Sequence, residues 1–522
     1  MRHLHWRIHS EGYESVLALC FVVLLAAALR MYNIENFRVL VSDEAVYVQS
    51  SYAISRGYVP YRDVFLAHPP LYFLIASSWM SLVGATLFLA RFFNVLFGIA
   101  TIVAIWFMCR KIFSTKVAII ASLFYAVLPL AVFFGRNFTI DNALGLFSTL
   151  TVFAFLVHYK YGSFKYLLLS GLLAGLSLIT KFTAFQFVLF IFIALLSEKR
   201  FRNLGWFVLA ILPIPAFTGV MLLASGMLPV FIQDSVYLQF LNQIFSQTLM
   251  EKANVLGLYV FWTLPFLALA LFTMANPKNN EAKLITLWYL IPFVLILLGN
   301  FVFFQYFIML NAPLSILAAL TVSGFEIPLS RRQLVNLRNR FSLNKILLVF
   351  IMLFFVSASL YFTVSEVQGN EENRIAQEAK IQSADYIKSI TDPSDKIWVT
   401  DASIAFFAQR IIVPPDSQYY KYQGFFSGSF AYSEDGKYRG PFSSGAPTLL
   451  RLSQILSAWQ TNKPKVIVVI RTSFLDTLIM NGIENPYYSE PGLMPYLITH
   501  YNLIRTFDPG GIRVWVRLVE EI

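Results

Sequence analysis

Charge is what this sequence has least of. Of its 522 residues only 13% are Asp, Glu, Lys or Arg, where a soluble globular chain carries about a quarter. A mostly water-facing surface is therefore excluded. Cysteine is scarce too: Cys20 and Cys109 both lie in or at the ends of apolar runs, and no CxxC or Cys/His metal spacing exists. That excludes a disulfide scaffold and a zinc site of the common spacing. There is no Walker-type phosphate loop, and no internal repeat of the kind that builds solenoids. In contrast, 57% of the residues are hydrophobic, with 51 Phe, 26 Tyr and 9 Trp, and the mean hydropathy is +0.63. Apolar runs recur through most of the first 365 residues, which rules out disordered, collagen-like and singly anchored soluble classes. The chain reads as a mainly α, polytopic membrane protein. The net charge of +11 does not point to nucleic acid, because Lys and Arg sit in short clusters between apolar runs and not along one groove.

A helix needs about 20 apolar residues to cross the hydrocarbon core. Spans are expected near 14–32, 87–108, 116–135, 142–159, 165–180, 182–197, 204–225, 255–275, 284–300, 302–324 and 345–364. A twelfth stretch, 71–84, follows His68-Pro69-Pro70 and ends at Gly84. Parity decides its place. If it does not cross, the clusters at Arg2/Arg7, Arg110/Lys111/Lys116, Lys160/Lys165, Lys199/Arg200/Arg202, Lys278/Lys283 and Arg331–Lys345 all fall on the N-terminal side. Basic loops are retained in the cytoplasm, so 71–84 is expected to be a re-entrant or juxtamembrane helix. About 11 transmembrane helices follow, in a multi-pass cell-membrane protein with a cytoplasmic N-terminus. The first run, Val16–Leu29, also has the form of a cleaved signal peptide, but its extension from Tyr13 to Tyr32 suits a retained helix better.

Two domains are expected: a transmembrane domain over 1–365 and a small extracytoplasmic α/β domain over 366–522. In the second, Glu371–Ile390 has helical periodicity, and strand-like runs stand at Ile397–Thr400, Val466–Ile470 and Ile512–Leu518. The Tyr-, Phe- and Gly-rich segment Gln418–Tyr438 is either a surface loop or a flap over a membrane-embedded site.

Charges beside apolar helices are costly, so their positions are informative. They collect in the loops that parity places outside. Asp43, Glu44, Arg56, Asp63 and His68 occupy the first, Arg136 and Asp141 the second, and Lys181 a tight turn between two helices. Each has a plain structural alternative. Asp43-Glu44 would cap a juxtamembrane helix, Thr139 and Asp141 would cap the next long helix, Arg136 would pair with Asp141, and His68 would mark a turn. Lys181, with apolar flanks, needs an anionic partner from the protein or from a ligand. Together the group could bind a phosphate and abstract a proton, with a carboxylate near the interface serving as base.

These residues carry a resemblance. Val41-Ser42-Asp43-Glu44-Ala45, Gly57-Tyr58-Val59-Pro60-Tyr61-Arg62-Asp63 and His68-Pro69-Pro70-Leu71-Tyr72 resemble the first-loop motif of dolichyl-phosphate-mannose protein mannosyltransferases and aminoarabinose transferase-like enzymes. Arg136 to Leu144, Lys181 after Gly175 to Thr180, and Gln305-Tyr306-Phe307 before Pro313 are similar to later motifs of that family, in the same order. The resemblance covers residues 10–325 and implies a GT-C fold. It further implies inverting transfer of a monosaccharide from a polyprenyl- or dolichyl-phosphate donor, at the outer leaflet, to a protein, lipid or glycan acceptor. It makes Asp43 the catalytic base supported by Glu44, with Asp141 shaping the acceptor side. Lys181, His68 and Arg136 would face the donor phosphate, and Asp63, Tyr61 and Tyr306 the substrate. A divalent cation, Mg or Mn, on Asp43, Glu44 and Asp141 stays open. One position departs from the aminoarabinose pattern: Ala67-His68 replaces an acidic-basic pair before the two prolines.

A secondary transporter or a lipid-linked-sugar flippase is the main alternative. Edge-located charges and the absence of repeats speak against it. An oligosaccharyltransferase subunit would carry a Trp-Trp-Asp-Tyr-Gly motif, which the tail lacks, and a non-catalytic scaffold has no need of the charged cluster.

Overall fold

The computed structural model describes residues 2–35, 42–237, 247–324, 357, 361, 371–399, 401–412, 456, 459–470, 493–508 and 511–518. The span expected at 345–364 (residues 357 and 361 apart), the basic cluster at 331–345 and the segment Gln418–Tyr438 lie outside them. Helices dominate. In chain order they begin with α1 (Arg2–Met31), α2 (Ser42–Ser55), α3 (Leu71–Val83), α4 (Leu87–Ile112), α5 (Thr115–Val127) and α6 (Pro129–Phe134). Next come α7 (Ile140–Tyr161), α8 (Phe164–Leu178), α9 (Phe185–Ser197), α10 (Phe201–Ile211), α11 (Pro213–Ala224) and the single turn α12 (Leu228–Phe231). The last described helices before the tail are α13 (Leu249–Ala275), α14 (Asn280–Leu298) and α15 (Asn311–Gly324).

Among the described residues, 7 helices are long and apolar enough to cross a membrane, and shorter apolar helices stand at Leu71–Val83, Thr115–Val127, Phe164–Leu178 and Phe182–Ser197. The chain is a membrane protein. The 13 residues of α3 rise about 20 Å, against a hydrocarbon core of about 30 Å, so its length alone does not span. Pro70 precedes it and Gly84 ends it at φ 101°, the start and stop residues such a helix uses.

The described residues group into two compact units, one drawn from Met1–Ile34, Arg91–Met221 and Ser246–Ser365, the other from Glu35–Ala90, Leu222–Phe245 and Glu366–Ile522. In the first, α7 is the most enclosed of the long helices, with 83% of its apolar window buried. It packs on α8, and α8 on α10. That second contact needs Gly171, because a Cβ there would stand 2.5 Å from the Cβ of Ala210; small residues allow this close approach between membrane helices. Hydroxyl pairs tie the apolar helices together. Tyr259 and Tyr289 meet at 2.9 Å, and Thr273 and Thr321 at 2.7 Å, each group finding a partner where water is excluded.

The continuous span expected over 116–135 is broken at Leu128, between α5 and α6. Pro129 has no N–H, so the carbonyl of Tyr125 four residues earlier loses its helical donor. Arg30, fully buried in α1, supplies the replacement. It donates to the Ala126 carbonyl at 2.9 Å and the Tyr125 carbonyl at 3.4 Å.

In the second unit, the tail forms α16 (Glu371–Ile390), β1 (Lys396–Val399), α17 (Ala402–Ala408), β2 (Ile411–Ile412), β3 (Val466–Ile470), α18 (Leu493–His500), β4 (Tyr501–Phe507) and β5 (Ile512–Arg517). The five strands make one sheet in the order β2-β1-β3-β5-β4. β1 is parallel to β2 and β3, while β3–β5 and β5–β4 are antiparallel. Central β3 is apolar along its whole length, and its described side chains are buried on both faces. Asp401 caps α17 through the Ser403 N–H at 2.9 Å and pairs with buried Lys380 at 2.7 Å.

Candidate active site

The first unit brings together Asp141, Lys181 and Tyr306. Asp141 stands in the first turn of α7, where the helix dipole favours a carboxylate. Lys181 is the extended residue between the end of α8 and a 3-10 turn, Phe182–Ala184. Its Nζ lies 2.7 Å from Asp141 Oδ1, and each side chain is only 5% exposed. The same ammonium sits 5.1 Å from the centre of the Tyr306 ring, an attraction that strengthens out of water. The anionic partner that Lys181 requires is thus Asp141, and the alternative pairing of Arg136 with Asp141 is not seen.

Arg136 is buried and donates to the Tyr32 carbonyl. Burial, and then the neighbouring Arg91 and Arg30 charges, pull its pKa down to about 9. Its turn is braced by residues that had no signal of their own in the sequence. Asn94 Nδ2 donates to the carbonyls of Asn137 and Thr139 at 2.6 and 2.7 Å, and Asn142 Nδ2 to the Phe134 carbonyl at 2.7 Å. Thr139 occupies the N-cap of α7 without a side-chain cap bond, its hydroxyl instead accepting from Asn142 at 3.1 Å. Gly135 is where Arg30 passes; a Cβ would lie 2.8 Å from Arg30 Nε. Close along the chain to Lys181, the Thr183 hydroxyl and the Gln186 Oε1 are buried with no hydrogen-bond partner among the described residues. Nothing in the sequence around them distinguishes them from core polar residues.

The second unit holds the first-loop residues. Asp43 and Glu44 share the first turn of α2 but not a face: Asp43 is exposed and Glu44 is buried. One turn on, the Tyr47 hydroxyl meets His68 Nε2 at 2.9 Å. Tyr61 is 1% exposed and holds the same histidine by its backbone, donating to the His68 carbonyl at 3.0 Å. Tyr61 also takes a left-handed φ of 65°, and burial pushes its phenol pKa up. Asp63 accepts from the Val59 N–H at 2.8 Å and from Arg62 at 2.9 Å. Burial opposes its ionisation, but the Arg62 bond, then the Val59 bond, then the charges of Arg62 and Lys396 outweigh it, holding the carboxyl below its ordinary range.

Among the described residues no three His, Cys, Asp or Glu side chains converge as a metal-binding group. Asp141, one of the three carboxylates open to a Mg or Mn ion, already has an ammonium on Oδ1.

Residues 67–229 match the family model described as dolichyl-phosphate-mannose-protein mannosyltransferase. The fold is similar to the crystal structure of ArnT from Cupriavidus metallidurans bound to undecaprenyl phosphate, with a TM-score of 0.68 over 98% of each chain at 15% identity. The chain has the GT-C fold of membrane glycosyltransferases. The apo state of the same Cupriavidus protein gives a TM-score of 0.66 at 14% identity, again over 98% of each chain. The apo Archaeoglobus fulgidus oligosaccharyltransferase gives 0.52 at 13% identity, covering 98% of this chain and 75% of that one. No curated protein matches by sequence. The segment that matches the family model includes His68, Arg136, Asp141 and Lys181; Asp43, Glu44, Tyr61, Asp63 and Tyr306 fall outside it.

Proposed function

We propose that this GT-C chain is a glycosyltransferase that moves a monosaccharide from a polyprenyl- or dolichyl-phosphate donor to a hydroxyl on a protein, lipid or glycan acceptor. The site lies at the outer face of the membrane, with the N-terminus cytoplasmic and residues 366–522 outside. The observation that carries this proposal is the buried Asp141–Lys181 pair against Tyr306. An ammonium has three protons to donate; Asp141 holds one direction, leaving others for phosphate oxygens. Arg136 and His68 add to the donor side, where the field of neighbouring arginines favours an anion.

In the proposed step the acceptor oxygen attacks the anomeric carbon from the face opposite the phosphate. Its proton passes to the Asp43 carboxylate. The bond from the anomeric carbon to the phosphate oxygen breaks, and its electron pair leaves with the lipid phosphate, whose charge the cations stabilise. Configuration inverts. Exposed Asp43 can meet an acceptor arriving from water, and Glu44 supports it from the buried side of the same turn. Asp141 orients Lys181 and shapes the acceptor side. Tyr61 and Asp63 contribute to substrate binding by holding the loop that presents His68, and Tyr306 lays an aromatic face beside the ammonium.

The test uses the full chain in lipid nanodiscs with a panel of polyprenyl-phosphate monosaccharides, crude membrane acceptors and mass spectrometry of the products. Transfer, or slow release of free sugar, that disappears in Asp43→Asn is the expected result. Wild-type turnover in Asp43→Asn would remove the base assignment. If no donor is consumed while labelled solute crosses the membrane, the transporter reading replaces this one.

A further inference from the structure

Helix α2 carries Asp43 and Glu44 at its start and is gripped near its end by the α/β tail. Gln49 Nε2 donates to the Arg410 carbonyl at 3.1 Å, and the Tyr52 hydroxyl donates to the Gln409 carbonyl at 3.1 Å. The Tyr52 ring also meets Phe406 edge-on, with centroids 6.2 Å apart. Gln49 and Tyr52 are three positions apart and share one face of the helix. Both are buried.

The two carbonyls they use belong to one turn, between α17 and β2. Gln409 adopts a left-handed φ of 51°, at a helix end where glycine is usual. Its N–H returns to the Phe406 carbonyl at 3.0 Å, and the Arg410 N–H to Ala405 at 3.1 Å. The Arg410 guanidinium, 6% exposed, pins the turn from inside. It donates to the Thr391 carbonyl at 2.7 Å, the Thr391 hydroxyl at 2.9 Å and the Ala408 carbonyl at 3.2 Å. A turn over-determined in this way is a rigid reference, and it offers α2 two acceptors in fixed directions.

We propose that the Gln409–Arg410 turn is a positioning element for the catalytic step, with Gln49 and Tyr52 as positioning residues that set the rotation and height of α2 and hence the direction of the Asp43 carboxylate. This rests on Asp43 being the base. The physical link is leverage. A base acts only within hydrogen-bond reach of the proton it takes, and a helix that rotates about its axis swings every side chain on it. A misplacement of about 1 Å costs up to about 100-fold in rate. Two hydrogen bonds and a ring contact on one face oppose that rotation near the end of the helix, as the Tyr47–His68 bond does near its start.

The test uses the full chain with Gln49→Leu, Tyr52→Phe and the double variant, and Asp43→Asn beside them. Donor KM, kcat and hydrogen exchange of amides in α2 and β3 are measured. In the double variant kcat falls about tenfold or more with donor KM unchanged, and α2 amides exchange faster while β3 stays protected. Tyr52→Phe, which keeps the ring contact, shows a smaller loss in the same direction. Wild-type kcat in the double variant, or a loss of kcat accompanied by loss of β3 protection, overturns the proposal. Activity retained in Asp43→Asn is a different failure, that of the base assignment, and the exchange data still report whether the turn holds α2.

Discussion

Lys181→Met keeps the stem of the side chain and deletes its ammonium, stripping a buried carboxylate of its counter-charge. The Nζ–Oδ1 distance is 2.7 Å with both side chains 5% exposed. At an effective dielectric of about 20, that separation corresponds to roughly 6 kcal/mol of attraction. Most of this offsets the desolvation of the two ions, so the intact pair adds little net stability. Removing one partner leaves the other's desolvation uncompensated, at about 3–5 kcal/mol. Lys181→Met and Asp141→Leu should each be destabilised by that amount, while the double variant, which buries no charge, should recover most of the loss. Thermal unfolding followed by tryptophan fluorescence in nanodiscs at one fixed scan rate measures this, the fixed rate being needed because irreversible unfolding depends on it. The single variants should unfold lower by something on the order of 5 °C. Sugar transfer should not return in the double variant. Wild-type unfolding in both single variants, or a double variant as unstable as the sum of the two, would refute the buried coupled pair.

Two other outcomes follow from the geometry. Arg30→Met should leave the carbonyls of Tyr125 and Ala126 without their donor at the Pro129 break, costing about 2–4 kcal/mol; Arg30→Lys should restore only part, since a point donor cannot fork to two carbonyls. Unfolding of Arg30→Met at the wild-type temperature would show that the break is held otherwise. For Asp63, whose folded carboxyl titrates below its unfolded value of about 3.9, the contribution is present above that value and disappears as pH falls through the folded pKa. Protection of the Val59 amide, labelled at one common pH after equilibration at each acid pH, should therefore persist down to about pH 3.9 and fail below it. Asp63→Asn should remove that dependence, and loss of protection already near pH 5 would contradict it.

How much was legible from the sequence follows from how local each signal is. The helix Glu371–Ile390 and the strand Val466–Ile470 stand where periodicity and apolar run length place them. The strand β2 was missed because two residues, Ile411–Ile412, carry no period. The strand β4 was missed because it lies at the sheet edge, buried only at Tyr501 and Phe507, with exposed residues between them and no alternation. Within the membrane, run length located the helices, but 116–135 hid a break. A hydropathy window does not register that Pro129 removes a donor from the Tyr125 carbonyl, nor that Arg30, 95 residues before Tyr125, replaces it.

The site divides in the same manner. Composition, run lengths and loop charges by themselves determined that the chain is a polytopic membrane protein, where its apolar helices fall, and which few ionisable residues stand at helix ends. Burying charge in lipid is so unfavourable that its placement is written in the linear pattern. Only the tertiary structure decided the partners. Lys181 finds Asp141 40 residues away; Arg136 turns to the Tyr32 carbonyl; and α2 is held by carbonyls more than 350 residues further on. Hydrogen bonds and ion pairs act over about 3 Å, and only folding brings such distant residues within that reach.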